Sequence, residues 1–282
     1  MPVGMQALKE DGTLLWDIDY IMYGLLKSGP LDLTAWWGFH DYRSNNLDPN
    51  DPSSYAYTSL TDPICSITVY DSISPICFVA GQGAPCGEKL VGNARTFYFR
   101  GVEPGARAYV FDVMRDLGGR IGMQCFNASG QLTFTTDMPP LNIVQAIQAP
   151  PPSPRTSPAS PDVPNGPVYV GGGGYTRPKN WSSDQVPEYI GYIDIPHSIG
   201  DSAAYMNFSR QCGYGVGGLI YIAGGQEGCG GGMNSLRFFF GYAAATTRRL
   251  APNPSQYFWD VPRDRLPTAL LIRASDYPYP FR

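Results

Sequence analysis

The sequence predicts an all-β protein: two β-sandwich-like domains of short antiparallel strands, joined by a Pro-rich linker. Glycine and proline number 33 and 27 among 282 residues, aromatic residues make up 13% and charged residues only 16%. That composition is typical of short strands and turns. Many short segments alternate apolar and polar residues, which is the period of a half-buried strand. Residues 149–167 contain eight prolines, and this composition predicts a stiff polyproline II linker.

A segment near the N-terminus is repeated in the middle of the chain. Residues 4–19 read GMQALKEDGTLLWDID, residues 122–137 read GMQCFNASGQLTFTTD, and six positions are identical at a constant offset. In both copies a segment in which inward- and outward-facing residue types alternate precedes the final Asp. A Gly that follows polar residues suits a tight hairpin turn. Each copy is therefore predicted to be a β-hairpin, and the two are interpreted as one structural unit used twice. The alternative is a chance likeness between two hairpins of ordinary composition.

The rest of the chain is divided by its composition. Residues 1–148 are predicted to form an N-terminal β-domain that holds both hairpins, and residues 168–282 a C-terminal Gly- and aromatic-rich β-domain with about seven short strands. Residues 40–54 are polar and predicted to be a loop. Within the N-terminal domain the alternating segments are predicted as strands; they are residues 20–26, 33–39, 63–70, 75–80, 94–100 and 106–114.

Charge and hydropathy exclude several classes of partner. The net charge is -4, and Lys and Arg are spread along the chain, so no basic footprint for nucleic acid is present. No apolar span of twenty residues and no secretory signal is found, which predicts a chain made in the cytoplasm without membrane insertion. In that compartment six scattered cysteines are expected to be free thiols.

Cofactor and metal motifs are present only in fragments. Residues 213–218 contain G-x-G-x-x-G, but no strand-to-helix context surrounds it, as a dinucleotide site requires. Asp48 lies in a segment that resembles the start of a calcium-binding loop. However, Asp51 occupies the position at which that loop requires Gly, and Tyr57 occupies the position at which it requires Glu. His40 and His197 are far apart in the sequence and the cysteines are isolated, so these residues do not suggest a set of zinc ligands. No cofactor and no metal ligand is therefore predicted.

Ser202 is the one candidate nucleophile. Gly200-Asp201-Ser202 resembles the nucleophile block of GDS-type esterases, but that family places its base His near the C-terminus and this chain has none after His197. A serine needs a base within hydrogen-bond reach that a third group orients. A turn is the preferred interpretation, and the protein is predicted not to be an enzyme.

Aromatic residues at two places suggest contacts. Side chains of these types anchor protein interfaces or stack on sugars, although they also fill cores. Proline alternation in the C-terminal YPYPFR forbids ordinary strand pairing, so docking onto another chain is expected there. The candidate contact residues are Trp36, Trp37, Phe39, Tyr277, Tyr279 and Phe281.

The repeated unit resembles a family of small tail-tip or tail-fibre (baseplate) structural proteins of long-tailed, siphovirus-type bacteriophages. The likeness covers MPVGMQALKEDGTLLWD at the start and YVFDVMRDLGGRIGMQCFNASGQLTFTTD in mid-chain. The resemblance implies a virion component at the tail tip, with other tail proteins and symmetric copies of itself as partners. It implies no catalytic residues, and it does not extend to the linker or the C-terminal domain.

Three functions are therefore expected in order of preference. The first is a tail-tip structural protein whose N-terminal domain docks on other tail proteins while a second domain is presented or clamped. The second is a host-receptor or carbohydrate-binding module in the C-terminal domain. The third is a hydrolase that uses Ser202 or a carboxylate pair.

Overall fold

The computed structural model describes residues 6–8, 10–17, 20–44, 46–48, 50–119, 122–154, 163–164, 167–174, 191–216, 221–244, 246–250 and 257–282. These residues are almost entirely β, which confirms the predicted fold class. Two single turns of 3-10 helix, Pro52–Ser54 and Ala274–Asp276, are the helical elements of the described part. None of its helical elements is long and apolar enough to span a membrane.

The described ranges contain twenty strands. The strands of the first half are β1 (Gln6–Leu8), β2 (Leu14–Asp17), β3 (Tyr23–Pro30), β4 (Asp32–Tyr42), β5 (Tyr55–Tyr70), β6 (Ile76–Ala80), β7 (Ala84–Val91), β8 (Ala94–Arg100), β9 (Arg107–Val113), β10 (Gln124–Phe126), β11 (Leu132–Thr135) and β12 (Gln145–Gln148). Those of the second half are β13 (Val163–Pro164), β14 (Gly191–Met206), β15 (Gln211–Val216), β16 (Tyr221–Gly231), β17 (Met233–Tyr242), β18 (Thr247–Leu250), β19 (Tyr257–Trp259) and β20 (Thr268–Arg273).

The N-terminal strands form two layers that pack on each other. One layer has the order β3-β9-β6 and the other the order β4-β5-β8-β7, with antiparallel neighbours throughout. Their facing side chains share one core, which includes Leu26, Val79 and Val110 from the first layer and Ile67 and Phe99 from the second. This arrangement is a sandwich, in which alternating residues of each strand enter the core.

Strands of the two predicted domains are hydrogen-bonded to each other in one continuous sheet. β6 pairs with β14 and β16, β12 pairs with β20, and β18 runs parallel to β4. A further core cluster draws residues from both sides of the predicted boundary, among them Phe78 and Phe111 before it and Ile272 and Tyr277 after it. The predicted division into residues 1–148 and 168–282 therefore does not correspond to separate sheets.

The described ends of the Pro-rich segment lie against the rest of the molecule. The amide of Ala149 donates to the carbonyl oxygen of Pro267 at 2.8 Å, and the amide of Val170 donates to that of Pro151 at 3.1 Å. Pro164 in β13 is paired with Tyr257. Proline lacks an amide donor but keeps its carbonyl acceptor, so these bonds use the proline groups that remain available.

Two local predictions differ from the structure. β7 begins inside GQGAPCG, whose glycines suggest an interruption of the strand pattern, and the register shift between Pro85 and Gly87 leaves Cys86 as the extra residue of a bulge. The predicted turn at Gly200-Asp201-Ser202 lies within the single long strand β14, where an irregularity between Pro196 and Asp201 bends the chain and Gly200 takes φ +87. The bend lets one strand pair with β17 before it and with β20 after it.

A buried ion pair lies in the core of the second half. Arg210 donates from Nε and Nη2 to the two carboxylate oxygens of Glu227, each at 2.7 Å, and both residues are essentially buried. The hydroxyl of Tyr169 donates to Glu227 Oε1 at 2.8 Å. Burial, followed by the neighbouring Glu227, raises the pKa of Tyr169 well above its ordinary value. Every charge here has partners, as a buried charge requires.

A second buried ion pair connects the two halves. Arg100 on β8 donates from Nε and Nη2 to Asp62 on β5 at 2.9 and 3.0 Å, and its Nη1 donates to the carbonyl oxygen of Tyr242 on β17 at 2.6 Å. The bidentate geometry satisfies the carboxylate. The remaining donor of Arg100 therefore holds a strand of the C-terminal half against the N-terminal sheet.

Candidate functional site

The two repeated segments are β-hairpins of identical geometry, as the sequence predicts. Gly12 and Gly130 occupy the same position in the two turns and take φ +80 and +77. A β-bulge follows Ala7 in the first hairpin and Cys125, its counterpart, in the second. The paired residues are Gln6 with Asp17, Ala7 with Trp16 and Leu8 with Leu14 in the first copy, and Gln124 with Thr135, Cys125 with Phe134 and Phe126 with Leu132 in the second.

The second hairpin, residues 124–135, is seated on the body of the protein. Leu132 and Phe134 pack against the core of the N-terminal sandwich. Thr133 and Thr135 on its other face are buried, and Cys125 is buried with them. This copy is therefore held from both sides, although Phe126 at its tip remains exposed.

The first hairpin, residues 6–17, presents the same positions to solvent. Leu14, the counterpart of Leu132, is 52% exposed, and Leu8, the counterpart of Phe126, is 59% exposed. Its shape is maintained internally, since Gln6 donates to Asp17 at 2.6 Å and the Thr13 amide donates to Asp11 at 2.9 Å. It is a formed element with an uncovered apolar side.

The segment that follows the first hairpin contacts the second hairpin. Met22, just after the first hairpin, donates its amide to the carbonyl oxygen of Thr133 in the second at 3.3 Å. The exposed apolar side chains in the two hairpins and in the residues next to them are Leu8, Leu14, Tyr20, Ile21, Met123 and Phe126, which we term the hairpin surface. Clusters of exposed apolar side chains mark interaction sites in soluble proteins.

The six predicted contact residues lie at two separate places. On β4, Trp36 is 58% exposed, Trp37 is half-buried, and Phe39 is buried. In the C-terminal segment Tyr277 is buried, Tyr279 is partly exposed and Phe281 is half-buried. The sequence shows that these aromatic residues lie next to a polar loop and at the C-terminal end. On β4, the alternating direction of successive side chains determines which of them reach the surface.

The C-terminal YPYPFR docks on its own chain in this structure. Ser28 on β3 exchanges two backbone hydrogen bonds with Phe281, both at 3.0 Å, and its hydroxyl donates to the carbonyl oxygen of Pro278 at 2.7 Å. The Tyr277 hydroxyl donates to Pro140 O and accepts from the Asn142 amide. Proline prevents a regular strand here, as predicted, and the expected partner chain is replaced by β3.

Arg107 on β9 contacts both the C-terminal tail and Asp201 of β14. It donates from one nitrogen to both carboxylate oxygens of Asp201, at 2.9 and 2.8 Å, and its guanidinium lies 5.6 Å from the ring centre of Tyr279. Burial alone would lower the pKa of Arg107, but the Asp201 hydrogen bond together with the charges of Tyr109, Asp201 and Tyr279 raises it above its ordinary value. Asp201 of the Gly-Asp-Ser segment thus has a structural ion-pair partner.

Ser202 has a histidine within hydrogen-bond reach, which sequence spacing does not reveal. His197 Nε2 lies 3.1 Å from Ser202 Oγ, but the Ile199 amide donates to His197 Nδ1 at 3.3 Å. Nδ1 is then the acceptor, so a neutral imidazole carries its proton on Nε2 and donates to the serine. Burial lowers the pKa of His197, which favours this neutral form.

The serine hydroxyl in turn donates away from the histidine. Ser202 Oγ donates to the carbonyl oxygen of Gly232 at 3.0 Å, and the residue is fully buried. A nucleophilic serine requires the reverse order, in which the histidine accepts the hydroxyl proton. The arrangement observed is a hydrogen-bond chain that ties the bend of β14 to the residue after β16.

Asp48 and Asp51, in the predicted loop of residues 40–54, cap turns. Asp48 accepts the Asn50 amide at 2.9 Å, and Asp51 accepts the Ser53 amide at 2.8 Å. The bond from Ser53 lowers the pKa of Asp51. Within the described part of the chain no three His, Cys, Asp or Glu side chains are grouped as a metal site.

The glycine-rich fingerprint continues a strand. Residues 213–216 belong to β15, which pairs with β16, and residues 217–218 lie outside the described ranges. No family model, curated protein or solved structure matches the chain.

Proposed function

We propose that the chain is a structural component of a bacteriophage tail tip or baseplate, and that the hairpin surface attaches it to neighbouring tail proteins. One observation carries this proposal: a duplicated hairpin with the same register in both copies, of which one is seated and the other presents its apolar side. The resemblance to tail-tip proteins rests on these same residues.

The seated copy supports the proposal by showing what covers such a hairpin. Leu132 and Phe134 are covered by aliphatic and methionine side chains of the sandwich core. Burying a leucine of the first hairpin on a comparable apolar surface contributes about 1.5–3 kcal/mol. A partner protein with an apolar surface would therefore cover Leu14 of the first hairpin as the sandwich core covers Leu132 of the second.

The tail-tip assignment implies other tail-tip proteins and symmetric copies of this chain as partners, and the virion as its location. The chain then acts by assembly, and its interior ion pairs keep the sheet rigid between its attachment points. In this account the hairpin surface belongs to the assembly interface, and the remaining faces are available to other tail proteins or to the host cell surface.

Purified virions of the phage that encodes the chain provide the test. Gold-labelled antibody against the chain is expected at the tail end in electron micrographs, and mass spectrometry of the same particles is expected to detect its peptides. Particles that lack the chain after gradient purification would contradict the proposal. Antibody adsorbed with the purified chain serves as the control for labelling.

A further inference from the structure

One face of the sheet formed by β4, β5, β8 and β7 combines aromatic rings with hydroxyl groups. Asp62, Ser66 and Thr68 alternate along β5 and therefore share a face. Trp37 pairs with Asp62, and Tyr98 pairs with Ser66, so both rings lie on that face as cross-strand neighbours. Their centres are 5.3 Å apart and their planes are tilted by 51°.

Hydroxyl groups extend this face beyond the two rings. Thr34 donates to Ser66 Oγ at 2.9 Å, and the hydroxyls of Thr68 and Thr96 are 2.8 Å apart. Each hydroxyl has more than one hydrogen-bonding position; Ser66 is buried, whereas Thr34 is exposed and Thr68 and Thr96 are half-buried, so the threonine hydroxyls retain capacity for a ligand. Asp62 on this face is buried beneath Arg100, which holds Tyr242 of β17, whereas Trp37, Tyr98, Thr68 and Thr96 are half-buried.

A groove of about 370 Å³ adjoins the hydroxyls and carries a positive balance of charge. Its lining includes Thr34, Ser66 and Thr68 from the face together with Lys27, Asp32 and Arg282. Lys27 Nζ donates to the carbonyl oxygen of Thr68 at 2.9 Å, and Arg282 Nη2 donates to that of Asp137 at 3.2 Å. Among the side chains that line the groove, Lys27 and Arg282 thus carry two positive charges and Asp32 one negative charge.

We propose that this face and groove bind an acidic oligosaccharide. Tryptophan and tyrosine rings offer an apolar surface for the C–H side of a sugar ring, the hydroxyls match its hydroxyls, and the two cations match an acidic substituent by charge-assisted bonds. A site of this kind joins apolar contact to a few placed polar groups. The site does not depend on the hairpin surface.

Single-stranded nucleic acid is the competing ligand for an aromatic sheet face. Such ligands need a row of cations along the backbone in addition to stacking rings. Here two cations and one carboxylate line the groove, and the chain has a net charge of -4. The charge pattern therefore favours a sugar with isolated acidic groups over a polyphosphate backbone.

The test uses the purified full chain on an array of neutral, uronic-acid, sialylated and phosphorylated oligosaccharides, followed by fluorescence titration of the best acidic glycan. Trp37→Ala is expected to weaken binding by about tenfold or more, as loss of a stacking ring does. The matched control is Trp36→Ala, which is expected to stay within about twofold, because Trp36 pairs with Pro63 and lies on the opposite face.

Two further variants keep the test valid if Trp37→Ala does not fold. Lys27→Gln and Arg282→Gln retain a hydrogen-bond donor and remove the charge, and each is expected to weaken acidic glycans about threefold or more while neutral ones change little. No acidic glycan bound, equal losses in Trp36→Ala and Trp37→Ala, or Trp37-dependent binding of a ten-residue oligothymidylate would overturn the proposal. None of these results bears on labelling of the tail end.

Discussion

The amide of Gly81 donates a 2.6 Å hydrogen bond to the carbonyl oxygen of Gly231, and this bond joins the two halves of the chain. Gly81 follows β6, and Gly231 ends β16. At the same place Gly230 lies so close to the Gly81 carbonyl that a Cβ would stand 2.0 Å from its oxygen. The halves meet here backbone to backbone, which only glycine permits.

Gly230→Ala is therefore expected to destabilise the whole protein by about 2 kcal/mol or more, because backbone must move apart to admit the methyl group. Urea unfolding with circular dichroism measures the change. Gly38→Ala is the matched control, since Gly38 is also in a strand and a Cβ there meets nothing within 4 Å. Equal stabilities for the two variants would show that the halves do not meet as described.

Glu227→Gln is expected to lower the free energy of unfolding by about 3 kcal/mol, because Arg210 loses its charge partner in the core. The variant keeps the volume of the side chain and some hydrogen bonds, so the loss reports the charge. Glu88→Gln provides the comparison. Glu88 pairs with Arg95 at 2.8 Å, but half of its side chain is exposed, and its removal is expected to cost under about 1 kcal/mol.

Alkaline pH is expected to release the C-terminal tail. Burial raises the pKa of Tyr277 to about 12, above the ordinary value near 10. The neutral phenol therefore stabilises the fold fully below pH about 10, and this contribution, roughly 2–3 kcal/mol, is lost as pH rises from 10 towards 12. Tyrosinate absorbance and unfolding free energy, measured across that range, report the loss.

Tyr277→Phe tests the assignment of that alkaline transition. The variant loses the bonds to Pro140 and Asn142, so it starts about 1 kcal/mol less stable at neutral pH. Its stability is then expected to fall less between pH 10 and 12 than that of the native chain. An unchanged alkaline profile would assign the transition to other tyrosines.

Much of the local structure can be predicted from the sequence. Alternation predicts the strand at Ala94–Arg100 to the residue, and the repeat predicts two similar hairpins, which the structure shows to share their register and a bulge. These features depend on neighbouring residues, so a linear pattern contains them. The interpretation of the two hairpins as copies of one unit also rests on a local sequence pattern.

The contacts between segments that are distant in the sequence could not be predicted from it. The parallel pairing of β18 with β4 and the bond from Arg100 to Tyr242 link residues that no local pattern relates. Proline content suggested a separating linker because prolines stiffen the chain, but their carbonyl groups still accept hydrogen bonds from the body. The hydrogen bond between His197 and Ser202 depends on the bend at Gly200, which the sequence suggests only as a turn.

The groove on the sheet face likewise could not be predicted from the sequence. Trp36 and Trp37 are adjacent and chemically alike, and only the register of β4 against β5 assigns them to opposite faces. Tyr98, the partner of Trp37, lies in another strand and has no motif of its own.

Incorporation of hairpin variants into virions is the most direct test of the proposed docking role. Leu14→Asp places a charge on the uncovered side of the first hairpin, and Leu90→Asp, at a site 58% exposed on β7, is the control. Each tagged variant would be expressed during infection by phage that lacks the native gene, after matching melting temperatures confirm folding. We expect Leu14→Asp to be about tenfold depleted from purified particles and Leu90→Asp to be retained. Equal amounts of both variants per particle would contradict the role assigned to the first hairpin.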